Sequence, residues 1–309
     1  MPDIIKRLGV IIDCPEDAKP RDNVTGATVL EWRSRLTGRR IFQIYFAGHK
    51  ARHIRLAESR ELLGPYKLRR FPIAMLTRFS RTRRGHVSSP EIYYVGKKKY
   101  LITHAVPKHP EISQLSYISR LWFSRFTPKI KRLDLPSYAR AFIHQGRHFV
   151  ITRAGKLFEV NPKLEILRKT PISKRNLFEK NERDNGKHIR HPMVANIQGR
   201  LICFYTCIGD TPERVFASEI LDLEGEKPYF SRPIEIIRPE LPYEGADLPI
   251  TPSTRGSAKR PVNQLRDPYF FTTENKSYLF YSVKGEFGIA LCEIDSAALL
   301  TGLGSGLRK

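Results

Sequence analysis

The sequence predicts an all-β protein, a five-bladed β-propeller that forms one domain over residues 1–309. The main observation is a recurring phrase: a turn containing Pro or Gly, a short apolar strand, a Gly- or Asn-rich turn and an aromatic-rich strand. A second observation is that helical periodicity is scarce, although 40% of the residues are hydrophobic. A propeller buries many short strands and leaves only short sheet edges exposed.

Five copies of the phrase can be placed along the chain. Four contain Pro90, Pro136, Pro192 and Pro268, and a less regular copy, VTGATVLEWRSRLTGRRIFQIYFAG, contains Gly26. The steps between the prolines are 46, 56 and 76 residues. They fit four-stranded blades, which usually take about 40–50 residues, with insertions in the longest. The residues that open each blade should line the axial funnel, so the chemistry is expected there.

Further elements can be placed around these copies. Third strands are predicted at HIRLAES, RVFASEI and GIALCEI, and helices at DSAALLTGL and SQLSYISRLWF. Residues 1–22 are predicted to be an N-terminal extension and residues 296–309 a short tail.

The N-terminus has no features of a signal peptide. Its apolar stretch is interrupted by Lys6, Arg7 and Asp13, and no run approaches the ~20 apolar residues that span a bilayer. We therefore expect either a cytoplasmic location or a mature form whose leader was removed.

The four cysteines do not form a recognisable metal motif. Cys203 and Cys207 lie on one predicted strand, where residues four apart are ~13 Å apart and cannot share a metal ion or a disulfide. We expect Cys14, Cys203, Cys207 and Cys292 to be buried thiols, and we expect no metal site and no cofactor.

The charge balance indicates an anionic partner. Lys and Arg number 54 against 31 Asp and Glu, a net charge of +23. Candidate anionic partners are a nucleic acid, a phosphate group and an acidic glycan. There is no basic tail, zinc finger or RNA-binding motif, so nucleic acid is not expected. A solvated basic surface is the alternative.

Several phrases resemble a known group of enzymes. RDPYFF, YLFYSVKGEFGIALCEI, HPMVANIQGRLICFYTCIGD and FAGHKARHIRLAES are similar to segments of the five-bladed glycoside hydrolases of families 43, 32, 117 and 130. YFAGH, IRLAES, GPY, EGADLP and QLRDP resemble an uncharacterised bacterial subgroup of that superfamily. The resemblance covers residues 23–295 and implies the propeller fold and carbohydrate-directed activity.

The catalytic positions of family 43 are not conserved in this chain. The resemblance implies an Asp base in blade one, an Asp in blade three and a Glu acid in blade four. Here blade one opens around Asn23 to Gly26 with no carboxylate, unless Asp22 serves, and blades three and four offer Ser137 and His191. Carboxylates at blade openings remain at Glu91 and Asp267.

Four carboxylates are the candidate catalytic residues. Asp267 follows Arg266 in QLRDP, and either takes part in the reaction or caps the turn. Glu244 and Asp247 lie in the Pro/Gly-rich insertion PYEGADLPITPSTRG, which either reaches over the funnel or is a solvated surface loop. With Glu91 assisting, these groups could supply an acid and a base ~5 Å or 6.5–9.5 Å apart.

Basic residues near the blade openings are the candidate binding residues, because guanidinium groups bind carboxylates, sulfates and phosphates in a bidentate manner. Histidines can also donate to sugar hydroxyls. Arg214 and Glu286 are expected to be structural, Arg214 by pairing with Asp210 or Glu213. The candidate binding residues are His49, Arg55, Arg140, Arg190, His191 and Arg266.

These features predict a glycoside hydrolase-like enzyme. It would cleave a small or terminal sugar unit from an anionic glycan, using carboxylate acid–base chemistry in the funnel. A glycoside phosphorylase relative, in which phosphate replaces water, and a non-catalytic carbohydrate-binding propeller remain alternatives.

Overall fold

The structure is a computed structural model. It describes residues 4–14, 23–34, 37–49, 51–75, 85–96, 98–107, 115–122, 125–177 and 188–305.

The described strands form five antiparallel sheets. The first strand of the chain, β1 (Ile5–Asp13), belongs to the fifth sheet. The first sheet comprises β2 (Thr25–Arg33), β3 (Arg40–Ala47), β4 (His53–Ser59), β5 (Lys67–Leu68) and β6 (Ala74–Met75). The second comprises β7 (Gly85–Val95), β8 (Lys98–Pro107), β9 (Leu115–Trp122) and β10 (Arg125–Leu133). The third comprises β11 (Arg140–His144), β12 (Arg147–Thr152), β13 (Lys156–Val160) and β14 (Ile166–Thr170).

The last two sheets complete the arrangement. The fourth comprises β15 (His188–Ile197), β16 (Arg200–Ile208), β17 (Val215–Leu221), β18 (Tyr229–Phe230) and β19 (Ile234–Ile237). The fifth comprises β20 (Arg266–Thr272), β21 (Ser277–Ser282) and β22 (Gly288–Ile294), with β1 as its outer strand. Helix α1 (Ser296–Ser305) follows β22.

The inner strands of the five sheets pack around one axis. Strand β2 contacts β7 and β20, β15 contacts β20 and β11, and β11 contacts β7. Every inner strand therefore has an inner strand on each side, as in a β-propeller. The all-β propeller predicted from the sequence is confirmed.

The predicted N-terminal extension contributes a strand to the last sheet. Strand β1 pairs with β22 from Ile5 opposite Ile294 to Asp13 opposite Gly288, with two irregularities in register. Since the same sheet contains the last three strands, the two ends of the propeller are joined by backbone hydrogen bonds.

Most of the predicted strands and one of the two predicted helices are confirmed. HIRLAES and GIALCEI are β4 and β22, and DSAALLTGL forms most of α1. The helix predicted at SQLSYISRLWF was wrong, because Leu115–Trp122 pairs with β8 and β10 as strand β9. Pairing on both edges outweighs the helical spacing of its apolar residues.

The hydrophobic core lies between neighbouring sheets. Between the fourth and fifth sheets, for example, the rings of Phe204 and Phe270 stack with their centroids 5.3 Å apart. All four cysteines are buried and no disulfide joins them, as predicted. Within the described ranges, no helix has the length and apolar character needed to cross a membrane.

Candidate functional site

Five residues occupy equivalent positions where the inner strands begin. All five have a left-handed backbone, with φ between 50° and 65°. In four sheets the pairing of the inner strand shifts register at this point, as at a β-bulge, which redirects the local side chains. A left-handed conformation costs a non-glycine residue about 1–2 kcal/mol, so this strain recurs around the axis. We call these residues the axial ring: Gly26, Ser89, Tyr138, His191 and Asp267.

The carboxylate of Asp267, a member of the axial ring, accepts three hydrogen bonds. Its Oδ2 accepts hydrogen bonds from Thr25 (2.6 Å) and Ser282 (3.3 Å), and its Oδ1 accepts one from the Tyr138 hydroxyl (2.7 Å). Burial opposes ionisation, but the neighbouring His191 and the donated hydrogen bonds hold the pKa of Asp267 well below its usual range. The carboxylate is therefore ionised, with both oxygens engaged.

His191 lies against Asp267. Its Nδ1 is 3.3 Å from Asp267 Oδ1, and its ring is tilted over Tyr138 with the centroids 4.7 Å apart. The Nε of Arg190 donates to His191 Nε2 at 3.3 Å. Burial, together with the charges of Arg190 and Arg266, holds the pKa of His191 well below its usual value despite Asp267. The ring is therefore neutral near pH 7.

A cavity of about 260 Å³ lies beside the axial ring. It is the space in which a ligand could reach Tyr138 and His191. The described part of its wall contains no Asp or Glu side chain. The lining residues are Thr25, His49, His86, Ser88, His104, Ser137, Tyr138, Arg153, His188, Arg190, His191, Ile208, Arg255 and Gly256.

Three arginines line this cavity. Arg190 is anchored by Glu213 Oε2 (3.3 Å) and by the carbonyl oxygens of Thr254 (3.1 Å) and Gly256 (3.3 Å). Burial, and then the positive charge of Arg255, lower the pKa of Arg153. Two like charges thus face the same space, which favours an anion between them.

Several histidines also line the cavity. His86 Nε2 and His104 Nε2 are 3.3 Å apart, and Ser88 Oγ is 3.2 Å from His104 Nε2. His49 stacks on His86 with ring centroids 6.4 Å apart. Burial lowers the pKa of His104, as do the nearby His86 and His49. These rings can donate to or accept from sugar hydroxyls.

A buried chain of alternating charges links Arg190 to His49. Glu213 lies between Arg190 (3.3 Å) and Arg266 (2.9 Å), and Arg266 also contacts Glu286 (2.8 Å). Glu286 Oε2 is 3.4 Å from His49 Nδ1. Burial opposes ionisation of Glu286, but His49 and Arg266 hold its pKa below the usual value. The chain fixes Arg190 and His49 in place.

A second buried ion pair lies next to the axial ring. Glu91 and Arg140 follow Ser89 and Tyr138 by two residues, and Glu91 Oε2 is 2.5 Å from Arg140 Nη1. Burial raises the pKa of Glu91, and Arg140 opposes this rise. The guanidinium also contacts the ring of Tyr269, 5.2 Å from its centroid. Neither Glu91 nor Arg140 lines the cavity.

The carboxylates predicted in the insertion lie elsewhere. Glu244 is fully buried, and its oxygens bind Arg7 Nε and Tyr281 Oη, each at 2.9 Å, and two backbone amides of its own turn. Asp247 is exposed, and neither residue lines the cavity. Glu244 therefore ties the insertion to the fifth sheet.

The predicted basic residues divide into two groups. His49, Arg190 and His191 line the cavity, whereas the buried Arg266 lies behind it. Arg55 packs over the ring of Phe46 at 4.6 Å and donates to a backbone carbonyl.

The two residues expected to be structural also have clear contacts. Arg214 pairs with Asp210 at 2.9 Å, as predicted, and also with Glu235 at 2.6 Å. Glu286 braces the site through Arg266 and His49.

Sequence reasoning missed several cavity residues. Tyr138 occupies the same position in its blade opening as His191 and Asp267, so aligning the openings by residue rather than by proline would have identified it. Arg153 follows β12 and Arg255 lies in the insertion, where no motif distinguishes them from other arginines. Over the described ranges, no three His, Cys, Asp or Glu side chains converge in a way that could hold a metal ion.

The chain is similar in sequence to a protein of Acanthamoeba polyphaga mimivirus. No family model matches the chain. It is 29% identical over 265 residues to the uncharacterized protein R118 of Acanthamoeba polyphaga mimivirus, which covers 80% of this chain and 74% of that protein.

Solved structures are similar over nearly the whole chain. The α-L-arabinofuranosidase from Lactobacillus brevis has a TM-score of 0.61 at 11% identity, covering 88% of this chain and 91% of that one. The GH43_1 enzyme from Xanthomonas citri in complex with xylose has a TM-score of 0.58 at 11% identity, covering 92% and 90%. The chain has the propeller fold of family-43 glycoside hydrolases. CoXyl43, a GH43 β-xylosidase/α-arabinofuranosidase from a compost metagenome, shares it with a TM-score of 0.56 at 10% identity, covering 92% and 95%.

Proposed function

We propose that the protein binds an anionic sugar unit in the axial cavity and cleaves its glycosidic bond. The observation that carries this proposal is the cavity wall, in which Arg153, Arg190 and Arg255 face a space whose described lining contains no carboxylate. The fold supports a sugar ligand, since the similar structures include enzymes in complex with xylose and xylotriose.

The size of the cavity favours a single sugar unit. Its volume of about 260 Å³ lies just below the ~300–1,000 Å³ typical of sites for drug-sized ligands. A terminal unit of a glycan would fit, with the rest of the chain outside the funnel.

The arginines favour a negatively charged unit. Arg153 and Arg255 present two like charges to the cavity, and a negative ligand would reduce the repulsion between them. A carboxylate, sulfate or phosphate group would accept charge-assisted hydrogen bonds, each worth about 1.5–3 kcal/mol. A uronic acid is the simplest ligand that combines the two features.

Among the predicted carboxylates, only Asp267 would take part in the reaction. Its carboxylate accepts hydrogen bonds from Thr25 and Tyr138 and lies against His191, and all three of these residues line the cavity. Glu91 is occupied by Arg140, whereas Glu244 and Asp247 do not line the cavity. Acid–base chemistry would therefore reach the sugar through the side chains in front of Asp267.

The experiment is a hydrolysis screen with matched 4-nitrophenyl glycosides. Glucuronides and galacturonides are compared with glucosides, galactosides, xylosides and arabinofuranosides. Release of 4-nitrophenol from a uronide, and its loss in Arg153→Gln but not in the exposed-site control Arg232→Gln, supports the proposal. Measurable uronide binding without cleavage of any glycoside would instead favour the non-catalytic sugar-binding protein.

Phosphorolysis is a second candidate, favoured by the same three arginines. Phosphate brings its own nucleophilic oxygen, so the reaction needs no carboxylate on the cavity wall to activate water. Repeating the screen with and without inorganic phosphate separates the two reactions, because only a phosphorylase requires phosphate and releases a sugar phosphate.

We further infer that the five sheets are the blades of a closed five-bladed propeller. The ring of contacts between inner strands and the pairing of β1 with β22 support this closure. The single domain over residues 1–309, the bacterial subgroup and the cytoplasmic location remain predictions from the sequence.

A further inference from the structure

One arginine of the insertion before β20 has its side chain available to a ligand. Arg255 is exposed and lines the cavity, and in the described part of the chain no acidic side chain or carbonyl group pairs with its guanidinium. A guanidinium group has five N–H donors and stays charged in proteins. Building on the proposed function, we infer that Arg255 is the residue that selects an anionic sugar over a neutral one, and that Arg190 and Arg266 position it.

Arg190 holds the backbone on both sides of Arg255. Its Nη1 donates to the carbonyl oxygen of Thr254 at 3.1 Å, and its Nη2 donates to that of Gly256 at 3.3 Å. Nη1 also donates to Glu213 Oε2 at 3.3 Å, and the side chain of Arg190 is only 6% exposed. The donors of Arg190 are therefore directed largely at the protein, whereas those of Arg255 remain for the ligand.

A second guanidinium group holds the same segment. Arg266 Nη1 donates to the carbonyl oxygen of Gly256 at 3.3 Å. The buried Glu213 accepts from both arginines through Oε2, at 2.9 Å from Arg266 and 3.3 Å from Arg190, and its Oε1 accepts from Thr206 at 2.7 Å. Because this carboxylate compensates the buried positive charges, it keeps both guanidinium groups directed at the backbone beside Arg255.

The insertion is anchored before and after residues 254–256. The backbone N–H of Ser253 donates to the carbonyl oxygen of Asp210 at 2.9 Å, and the carbonyl oxygen of Gln264 accepts from the N–H of Gly285 at 2.8 Å. Loss of the Arg190 contacts is therefore expected to release residues 254–256 while these two anchors hold.

The neighbour of Arg255 in the cavity is Arg153. Burial, and then the positive charge of Arg255, lower the pKa of Arg153, so the two guanidinium groups lie within electrostatic range of each other. An anionic group bound beside Arg255 reduces this repulsion, whereas a sugar hydroxyl leaves it unchanged. Arg255 therefore contributes more to the affinity for a uronate than to the affinity for the matching neutral sugar.

Isothermal titration at low salt compares D-galacturonate with D-galactose in the wild type, Arg255→Gln, Arg190→Lys and the double variant. Arg190→Lys keeps a positive charge beside Glu213 but lacks the planar fork that reaches both carbonyl groups. We expect each single variant to lose most of the ~10-fold preference for the uronate. The double variant should lose no more than Arg255→Gln alone, since Arg190 acts through Arg255.

Arg200→Lys is the matched control and should keep the full preference. The Arg200 guanidinium also pairs with a buried carboxylate, Glu219, and donates to a backbone carbonyl oxygen, that of Leu300 at 2.9 Å, but it does not line the cavity. Full preference in Arg190→Lys, or losses that multiply in the double variant, would overturn the positioning role of Arg190.

Limited trypsin digestion of the ligand-free proteins tests the positioning without a sugar. Trypsin cleaves after arginine, so the bond between Arg255 and Gly256 lies within the held segment. Because cleavage follows the population of the locally opened loop, Arg190→Lys should be cut there at least ~10-fold faster than the wild type or Arg200→Lys. An unchanged rate would overturn the inference. If no uronate binds to the wild type, the proposed function fails, whereas the cleavage rates still decide whether Arg190 positions Arg255.

Discussion

Asp267 lies directly behind His191, with Oδ1 3.3 Å from the ring Nδ1, and both residues have a left-handed backbone, with φ of 50° and 52°. They come from the inner strands of different sheets, yet hold the same position in their blade openings. The bulges that strain these residues therefore also bring them together at the axis. This contact places a permanent negative charge one residue behind the cavity.

The axial ring requires glycine in the first sheet. Gly26 has φ 65°, and a Cβ there would be 3.1 Å from Ser89 Cα. Gly38 has the same φ with no atom within 4 Å of its Cβ position, so it is the matched control. Both alanine variants should lose about 1–2 kcal/mol through backbone strain, and Gly26→Ala about 1 kcal/mol more through the clash. Urea unfolding measures both, and equal losses would refute the close approach.

The buried histidines make stability depend on pH. His104 and His191 have lowered pKa values in the folded protein, so below the unfolded-state value of ~6.5 protons bind preferentially to the unfolded chain. The free energy of unfolding should fall by up to about 1.4 kcal/mol per pH unit for each ring as pH drops below 6.5. In the folded protein the pKa values of Asp267 and Glu286 lie below the usual carboxylate range. These two groups therefore change the free energy of unfolding only below about pH 4.3, where the carboxylates of the unfolded chain begin to bind protons.

Urea unfolding between pH 5 and 8 tests this dependence. His104→Gln should remove about half of the slope below pH 6.5 while the wild-type curve stays flat above pH 7. A slope that is the same in the variant and the wild type would assign the effect to other groups.

The Glu91–Arg140 pair is expected to support the structure. Removing one partner leaves a buried, uncompensated charge, so Glu91→Gln should cost about 3–5 kcal/mol of stability. Combining Glu91→Leu with Arg140→Met should cost at least ~1 kcal/mol less than the sum of the single variants. A double-mutant cycle measured by urea unfolding checks this, and additive losses would show that the two side chains do not interact.

The fold was more accessible from the sequence than the site. Alternating apolar strands and the repeated openings reflect local geometry, so the inner strands and β4 and β22 could be placed before the structure was known. The role of residues 5–13 was missed, because the partner of β1 lies at the other end of the chain. Pairing between distant segments leaves little local signal.

The site depends on contacts that a single sequence does not show. His49, Arg190 and His191, which were predicted to bind the ligand, line the cavity. Arg190 and His191 lie there because the blade openings converge at the axis, whereas His49 follows β3. Glu244 carries the same charge as Asp267, and only the structure shows that Arg7 and Tyr281 bind it on the fifth sheet. Which carboxylate lies next to the cavity residues is decided by backbone and loop packing, not by residue type.

The most direct test of the account measures whether the cavity selects an anionic sugar. Isothermal titration compares D-galacturonate with D-galactose, and D-glucuronate with D-glucose, at low and high salt. Charge-assisted hydrogen bonds of about 1.5–3 kcal/mol predict at least ~10-fold tighter binding of each uronate at low salt, weakening as salt rises. Arg153→Gln and Arg255→Gln should remove most of this preference, and Arg232→Gln should leave it intact. Equal, salt-insensitive binding of uronate and neutral sugar would contradict the account.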